Sequence, residues 1–264
     1  MEAPAQPRSP LAVTLGVWNA LFLREAVDRV SRQRAAWLWL LLEPVAHIVF
    51  LMVVFATFRV RVLSGIDVAV WIMVGLLGFF MFRRPAAQAA TVLANNQVLF
   101  AYRQVKPVDA VLVRAVLEGF IMTVIAFILL AATALYGLVA FPADPMAVLG
   151  GFFGLWLYGL GYMLIASVAV VVLPELGKVL MLALLPLYLV SGVMFPVTLI
   201  PPPYRDWLLI NPLLHGLEAT RAGFAPDYQV VPEITIAYLY ACALIAIFFG
   251  LALHRYSAKR LAAQ

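Results

Sequence analysis

Long apolar runs alternate with short polar breaks along almost the whole 264-residue chain. A helix rises about 1.5 Å per residue, so crossing roughly 30 Å of hydrocarbon takes about 20 apolar residues. Six stretches meet or approach that length: 35–58, 68–82, 119–141, 146–173, 179–200 and 234–253. The second holds only 15 uncharged residues, but Ile66 and the residues after Arg84 can extend its helix into the interfaces.

Two further segments are apolar without spanning. In 9–30, Leu11, Leu15, Trp18 and Phe22 recur at helical spacing, which predicts an amphipathic helix lying in the membrane interface, although Val13, Val17 and Leu21 weaken its asymmetry. In 201–232, the run from Leu208 to Leu217 is too short to cross and Asn211-Pro212 breaks it. This predicts a re-entrant helical hairpin buried against protein, because exposed irregular backbone is costly in lipid.

The expected fold is an all-α integral membrane protein. It has six transmembrane helices, an N-terminal amphipathic interface helix and a short re-entrant helical hairpin before the last span. Residues 1–34 form a tail and the interface helix, 35–254 the transmembrane domain, and 255–264 a C-terminal tail. Within the domain, 83–118 is expected as a cytoplasmic loop and 201–232 as the outer re-entrant region.

Composition agrees: 65% of residues are hydrophobic, 12% are charged, and the mean hydropathy is +1.01. Soluble chains hold about 25% charged residues, and these runs leave no length for a separate globular catalytic domain. The net charge of +5 points to membrane lipids rather than nucleic acid, since the cations flank apolar runs instead of striping a soluble face.

Of 18 Lys and Arg, 14 fall on one flank of the spans and only Arg59, Arg61, Arg205 and Arg221 on the other. The positive-inside rule then places both termini and 83–118 in the cytoplasm. Arg24, Glu25, Asp28, Arg29, Arg32 and Arg34 precede the first long run, so no cleaved signal peptide is expected. The single cysteine, Cys242, excludes an intrachain disulfide.

Candidate chemistry is sparse. Glu43 and His47 stand one turn apart in the first span, where ionisable groups are expensive and usually face a bundle interior or a wet cavity. Three readings stay open: a structural cluster beside Pro44, the lining of a polar substrate path, or a proton relay. Arg83, Arg84, Arg103, Lys106 and Arg114 face only Asp109 and Glu118 within 83–118, more cations than orientation needs. Residues 95–109 suit a short helix resting on a soluble partner. No G-x-x-x-x-G-K-[ST] occurs, so any ATP would be hydrolysed by a separate subunit. Neither H-E-x-x-H nor G-x-S-x-G occurs, and His47, His215 and His254 are scattered, so no catalytic or metal-binding residue is expected.

Six motifs follow in order: LFLRE (Leu21 to Glu25), LEPVAH (Leu42 to His47), ANNQVLFAYRQVKPVDAVLVRAVLE (Ala94 to Glu118), PELGKVL (Pro174 to Leu180), MFPVTLIP (Met194 to Pro201) and NPLLHGLEATR (Asn211 to Arg221). Together they resemble the inner-membrane permeases of capsular polysaccharide ABC exporters, the KpsM type, within the type 2 ABC transporter permeases. Permeases for O-antigen, teichoic acid or drugs are the alternative of the same architecture.

The resemblance implies a bacterial inner-membrane half-transporter. Two copies pair as a homodimer, and two ATP-binding cassette subunits beneath them hold ATP and magnesium, while this chain holds no cofactor. A periplasmic polysaccharide co-polymerase and an outer-membrane channel would continue the path of a lipid-linked acidic polysaccharide. It also implies ATPase coupling through Asn95, Asn96, Gln97, Tyr102 and Lys106.

Guanidinium groups pair with carboxylate and phosphate oxygens in two-pronged fashion. Arg24, Arg29, Arg32, Arg34, Arg83, Arg84 and Arg103 are therefore expected as a cationic rim for such a cargo, with Glu43 and His47 on its path. In the outer hairpin, Tyr204, Trp207, His215, Glu218 and Arg221 are expected to gate the exit or meet the periplasmic partner. The competing reading there is a plug held by a Glu218–Arg221 helical pair.

Overall fold

Proline and a capping side chain open several of the long helices in the computed structural model, which describes residues 9–31, 36–57, 62–63, 66–138 and 141–262. The helices are α1 (Pro10–Ser31), α2 (Ala36–Thr57), α3 (Val68–Gln88), α4 (Val92–Asn96), α5 (Pro107–Leu135), α6 (Pro145–Val172), α7 (Leu176–Val190), α8 (Tyr204–Leu208), α9 (Pro212–Phe224), α10 (Ile236–Tyr256) and α11 (Ala258–Ala262). Strands β1 (Val62–Leu63) and β2 (Ile66–Asp67) form one small antiparallel pair. Pro107, Pro145 and Pro212 stand in the first turn of α5, α6 and α9, where a missing N–H removes no helical bond. Asp67, Asp144, Asn211 and Thr235 accept from the first free N–H groups of α3, α6, α9 and α10.

Among the described residues, α3, α5, α6 and α10 are long and apolar enough to cross a membrane, while the apolar parts of α2 (Leu42–Phe55) and α7 are shorter. Helix α3 continues through Arg83 and Arg84 to Gln88, the extension that the sequence allowed. Two boundaries differ from expectation. Helix α5 already begins at Pro107, so 89–106 connects it to α3. Helix α7 ends at Val190, well before residue 200, because Ser191 and Gly192 turn the chain there. Gly192 adopts φ +71°, a conformation open to glycine and strained for other residues. Near the C-terminus, Leu261 of α11 is buried with Ala110, Val111 and Leu164.

Helix α3 is the hub. Trp71, Phe79 and Phe82 on it are almost completely buried, and the core joins them to residues of α5, α6, α7 and α9. Helices α6 and α10 run side by side in the same direction: Tyr240 donates to the Gly150 carbonyl at 2.8 Å, and Ser167 meets His254 at 3.2 Å further along. Small residues permit these approaches, as in membrane helix pairs generally. A Cβ on Gly159 of α6 would come within 2.7 Å of the Phe82 carbonyl oxygen on α3.

Gly159→Ala should therefore push α3 from α6 and cost about 1–3 kcal/mol, the range of core overpacking. Gly16, on an open face of α1, has nothing within 4 Å of a built Cβ, so Gly16→Ala should be neutral or slightly stabilising. Thermal unfolding in detergent checks both: the first midpoint should fall by several degrees and the second should not.

Candidate functional site

Two carboxylates organise the face where α1, α3, α4 and α5 meet. Glu118 of α5 is 0% exposed and forms ion pairs with Arg29 of α1, Arg84 of α3 and Arg114 of its own helix. Arg84 Nε lies 3.2 Å from Glu118 Oε2 but off the hydrogen-bonding direction, so this contact is ionic rather than a directed bond. Glu25 of α1, also buried, accepts from Arg114 through Oε2 and from Asn96 Nδ2 through Oε1 at 3.0 Å. Arg24 donates to Asn96 Oδ1, and Arg114 Nη2 donates to Gln88 at the end of α3 at 2.8 Å. Trp18 Nε1 donates to Asp109 at 2.9 Å, and the same carboxylate accepts from the Lys106 backbone N–H at the start of α5.

The contacts 18–109, 25–114 and 29–118 rise in step, so α1 runs beside the first turns of α5 in the same direction. Its register follows from charge: Glu25 and Arg29, one turn apart, meet Arg114 and Glu118, one turn apart in the opposite sense. Of Leu11, Leu15, Trp18 and Phe22, the side of 9–30 expected in the interface, Leu11 and Leu15 stay exposed, whereas Trp18 bonds to Asp109 and Phe22 packs against Phe120 and the core. Sequence missed the polar side that clamps α1 to α5, because pairs this distant along the chain leave no local spacing signal.

The connector between α3 and α5 is α4, continued by a 3-10 turn over Gln97–Ala101. Val92 and Leu93 anchor it inward, while Asn95, Gln97, Tyr102, Arg103 and Lys106 face outward. Val98 is 83% exposed, an apolar residue on an otherwise polar surface. Asn96, grouped with the exposed coupling residues on sequence, instead points inward and is buried.

The expected cationic rim is thus divided. Arg24 shares Asn96, Arg29 and Arg84 are held by Glu118, and Arg32 and Arg34 lie outside the described residues. Arg83 and Arg103 are exposed. Arg83 sits 5.7 Å from the centroid of Phe80, and His47 meets the same ring edge-on at 5.6 Å. His47 also meets Tyr188 of α7 at 6.3 Å. Glu43 and His47 both keep exposed surface on α2 even with His47 set against these rings, and an ionisable group in contact with hydrocarbon would be expensive.

A second cluster locks α9. Arg221 is 0% exposed and lies 3.5 Å over the Trp71 ring of α3. It donates to the Gly192 carbonyl at 2.8 Å, the Val193 carbonyl at 3.0 Å and Glu218 at 2.8 Å. Glu218 accepts from Tyr228 at 2.9 Å, and Trp71 Nε1 donates to the Tyr228 oxygen at 3.2 Å. Burial pushes the Tyr228 hydroxyl well above its ordinary range, so it keeps the proton it donates. Gly75 gives the guanidinium room, since a Cβ there would lie 2.2 Å from Arg221 Nη2.

His215 is buried too. Its Nδ1 accepts from the Thr235 N–H at 3.0 Å, which leaves Nε2 to donate to the Leu209 carbonyl at 2.7 Å. The helical pair of Glu218 and Arg221 is present, and Glu218, Arg221 and His215 are enclosed by protein. Tyr204 and Trp207 on α8 are the exposed members of that expected group. Trp71 and Tyr228 complete the lock without any sequence signal, being ordinary aromatics until the fold joins them. Among the described residues, no group of three His, Cys, Asp or Glu side chains converges to hold a metal ion.

Comparison with known proteins matches residues 17–225 to the ABC-2 type transporter family. The chain is 34% identical to the polysialic acid transport protein KpsM of Escherichia coli, over 94% of this chain and 96% of that protein. It is 28% identical to the capsule polysaccharide export inner-membrane protein CtrC of Neisseria meningitidis serogroup B, over 92% and 91% of the two chains. With the capsule polysaccharide export inner-membrane protein BexB of Haemophilus influenzae it shares 26% identity over 97% of each.

Removing one member of a buried ion network strands the others, at about 3–5 kcal/mol. Glu118→Ala should therefore lower the unfolding midpoint far more than Asn95→Ala on the exposed connector, as measured by thermal unfolding in detergent. Arg84→Gln should fall between them, because Glu118 keeps Arg29 and Arg114.

Proposed function

The chain belongs to the ABC-2 type transporter family, and on that premise we propose that it is the permease of an exporter moving lipid-linked acidic capsular polysaccharide from the cytoplasm to the periplasm. The observation that carries this is correspondence over nearly the full length with inner-membrane proteins named for capsule export. ATP hydrolysis belongs to separate cassette subunits that bind ATP and magnesium, and this chain contributes the path through the bacterial inner membrane.

In this reading α2 and α7 join the four longer helices as six spans, both termini are cytoplasmic, and α8 with α9 form the re-entrant hairpin on the outer side. The exposed strip of Asn95, Gln97, Val98, Tyr102 and Lys106 receives the cassette subunit. A short helix anchored by Val92 and Leu93 can carry force where a loose loop could not.

Pairing of two copies is supported by Glu43 and His47, whose exposure on α2 calls for cover by a second copy or by a wet conduit. Anion recognition falls chiefly to Arg83 and Arg103, which are exposed. On the outer face, Tyr204 and Trp207 are the contact points for the periplasmic co-polymerase, which hands the chain to an outer-membrane channel.

Co-expression with the cassette subunit should yield a complex of two copies of each chain, with ATPase activity that responds to capsule glycolipid. Arg83→Gln with Arg103→Gln should leave that complex intact and lower surface capsule about tenfold, a loss of about 1.4 kcal/mol in recognition. Surface capsule at the wild-type level in that variant, quantified by antibody binding, would remove those arginines from cargo recognition; failure of the complex to form would remove the export reading.

A further inference from the structure

Resting on that export reading, we propose that Asn96 is a positioning residue that passes movement of the connector to α1. Helix α1 and the heads of α3 and α5 then shift as one body. The connector is covalently continuous with α3 and α5 through residues 89–91 and 102–106, so the backbone itself carries a push to those spans. Helix α1 is far away in sequence, and among the described residues side chains reach it, directly from the connector through Asn96 and by way of α5 through Asp109, Arg114 and Glu118.

Asn96 makes that reach. It sits where α4 tightens into its 3-10 turn, and it is 2% exposed. One Nδ2 hydrogen goes to the Val92 carbonyl at 2.9 Å and the other to Glu25 Oε1 at 3.0 Å, while Oδ1 accepts from Arg24. Both amide donors and the carbonyl oxygen are used, so the group cannot turn without losing a bond. The same amide is thus tied to the connector's own backbone and to two successive residues of α1.

From Glu25 the linkage runs on. Its other oxygen holds Arg114, Arg114 holds Gln88, and Glu118 holds Arg29 and Arg84. Pulling Arg29 or Arg84 from Glu118 would strand a charge among buried groups, so displacement is cheaper than separation. The alternation of charge also forbids slipping: moving α1 forward by one turn would bring Glu25 against Glu118. Asn96 accordingly serves the ATPase stroke from inside the joint, while its neighbours Asn95 and Gln97 face outward.

Hydrogen exchange on the assembled complex, with and without a non-hydrolysable ATP analogue, tests this. In the wild type, nucleotide should change amide protection in both the connector and residues 18–31. In Asn96→Ala the connector response should persist while the α1 response falls about twofold, the remainder arriving from α5 through Arg114, Glu118 and Asp109; Glu25→Asp, which keeps a carboxylate for both Asn96 and Arg114, should retain most of it. A wild-type α1 that ignores nucleotide, or an Asn96→Ala complex whose α1 responds in full, overturns the inference. A wild-type chain that never assembles with a cassette subunit overturns the export reading first, and this inference with it.

Discussion

A carboxylate with no solvent exposure, Glu118, holds together the end of the molecule where α1, α3 and α5 meet. An ionised side chain without water is stable only where cations and donors surround it closely. Arg29, Arg84 and Arg114 reach it from three helices. The positions of α1 and of the inner ends of α3 and α5 therefore depend on one another, and the connector inherits that order through Asn96.

The opposite end of α3 is held by different chemistry in a similar form. Arg221 is pinned by a ring face, two carbonyls and a carboxylate, and no solvent reaches it. This ties α9 to α3 and to the turn that ends α7. Between these charged locks, α3 is almost entirely apolar and buried, and α6 meets α10 along small residues. A rigid centre with polar joints at either end suits a permease that must transmit movement through the bilayer without unfolding.

Much of the helical frame was legible in the sequence, because about 20 apolar residues in a row state a span without help from tertiary structure. The span at 146–173 coincides with α6 within a residue at either end. The boundary at 200 was not, since Gly192 ends α7 through a turn that apolar content conceals. The candidate site was legible in residue type but not in partnership. Residue type suggests a cationic rim from Arg24 to Arg34 and at Arg83, Arg84 and Arg103, yet Glu118 pairs with Arg29 and Arg84 and Asn96 holds Arg24, which only spatial proximity reveals. The local pair of Glu218 and Arg221 was readable from its three-residue spacing; its junction with Trp71 and Tyr228 was not.

The export reading makes this chain a conduit driven by a separate ATPase. Inside-out proteoliposomes holding the chain with its cassette subunit should take up lipid-linked capsular polysaccharide only when ATP is supplied outside. Uptake by the chain alone under a proton gradient would contradict the account and make Glu43 and His47 the centre of a different transporter.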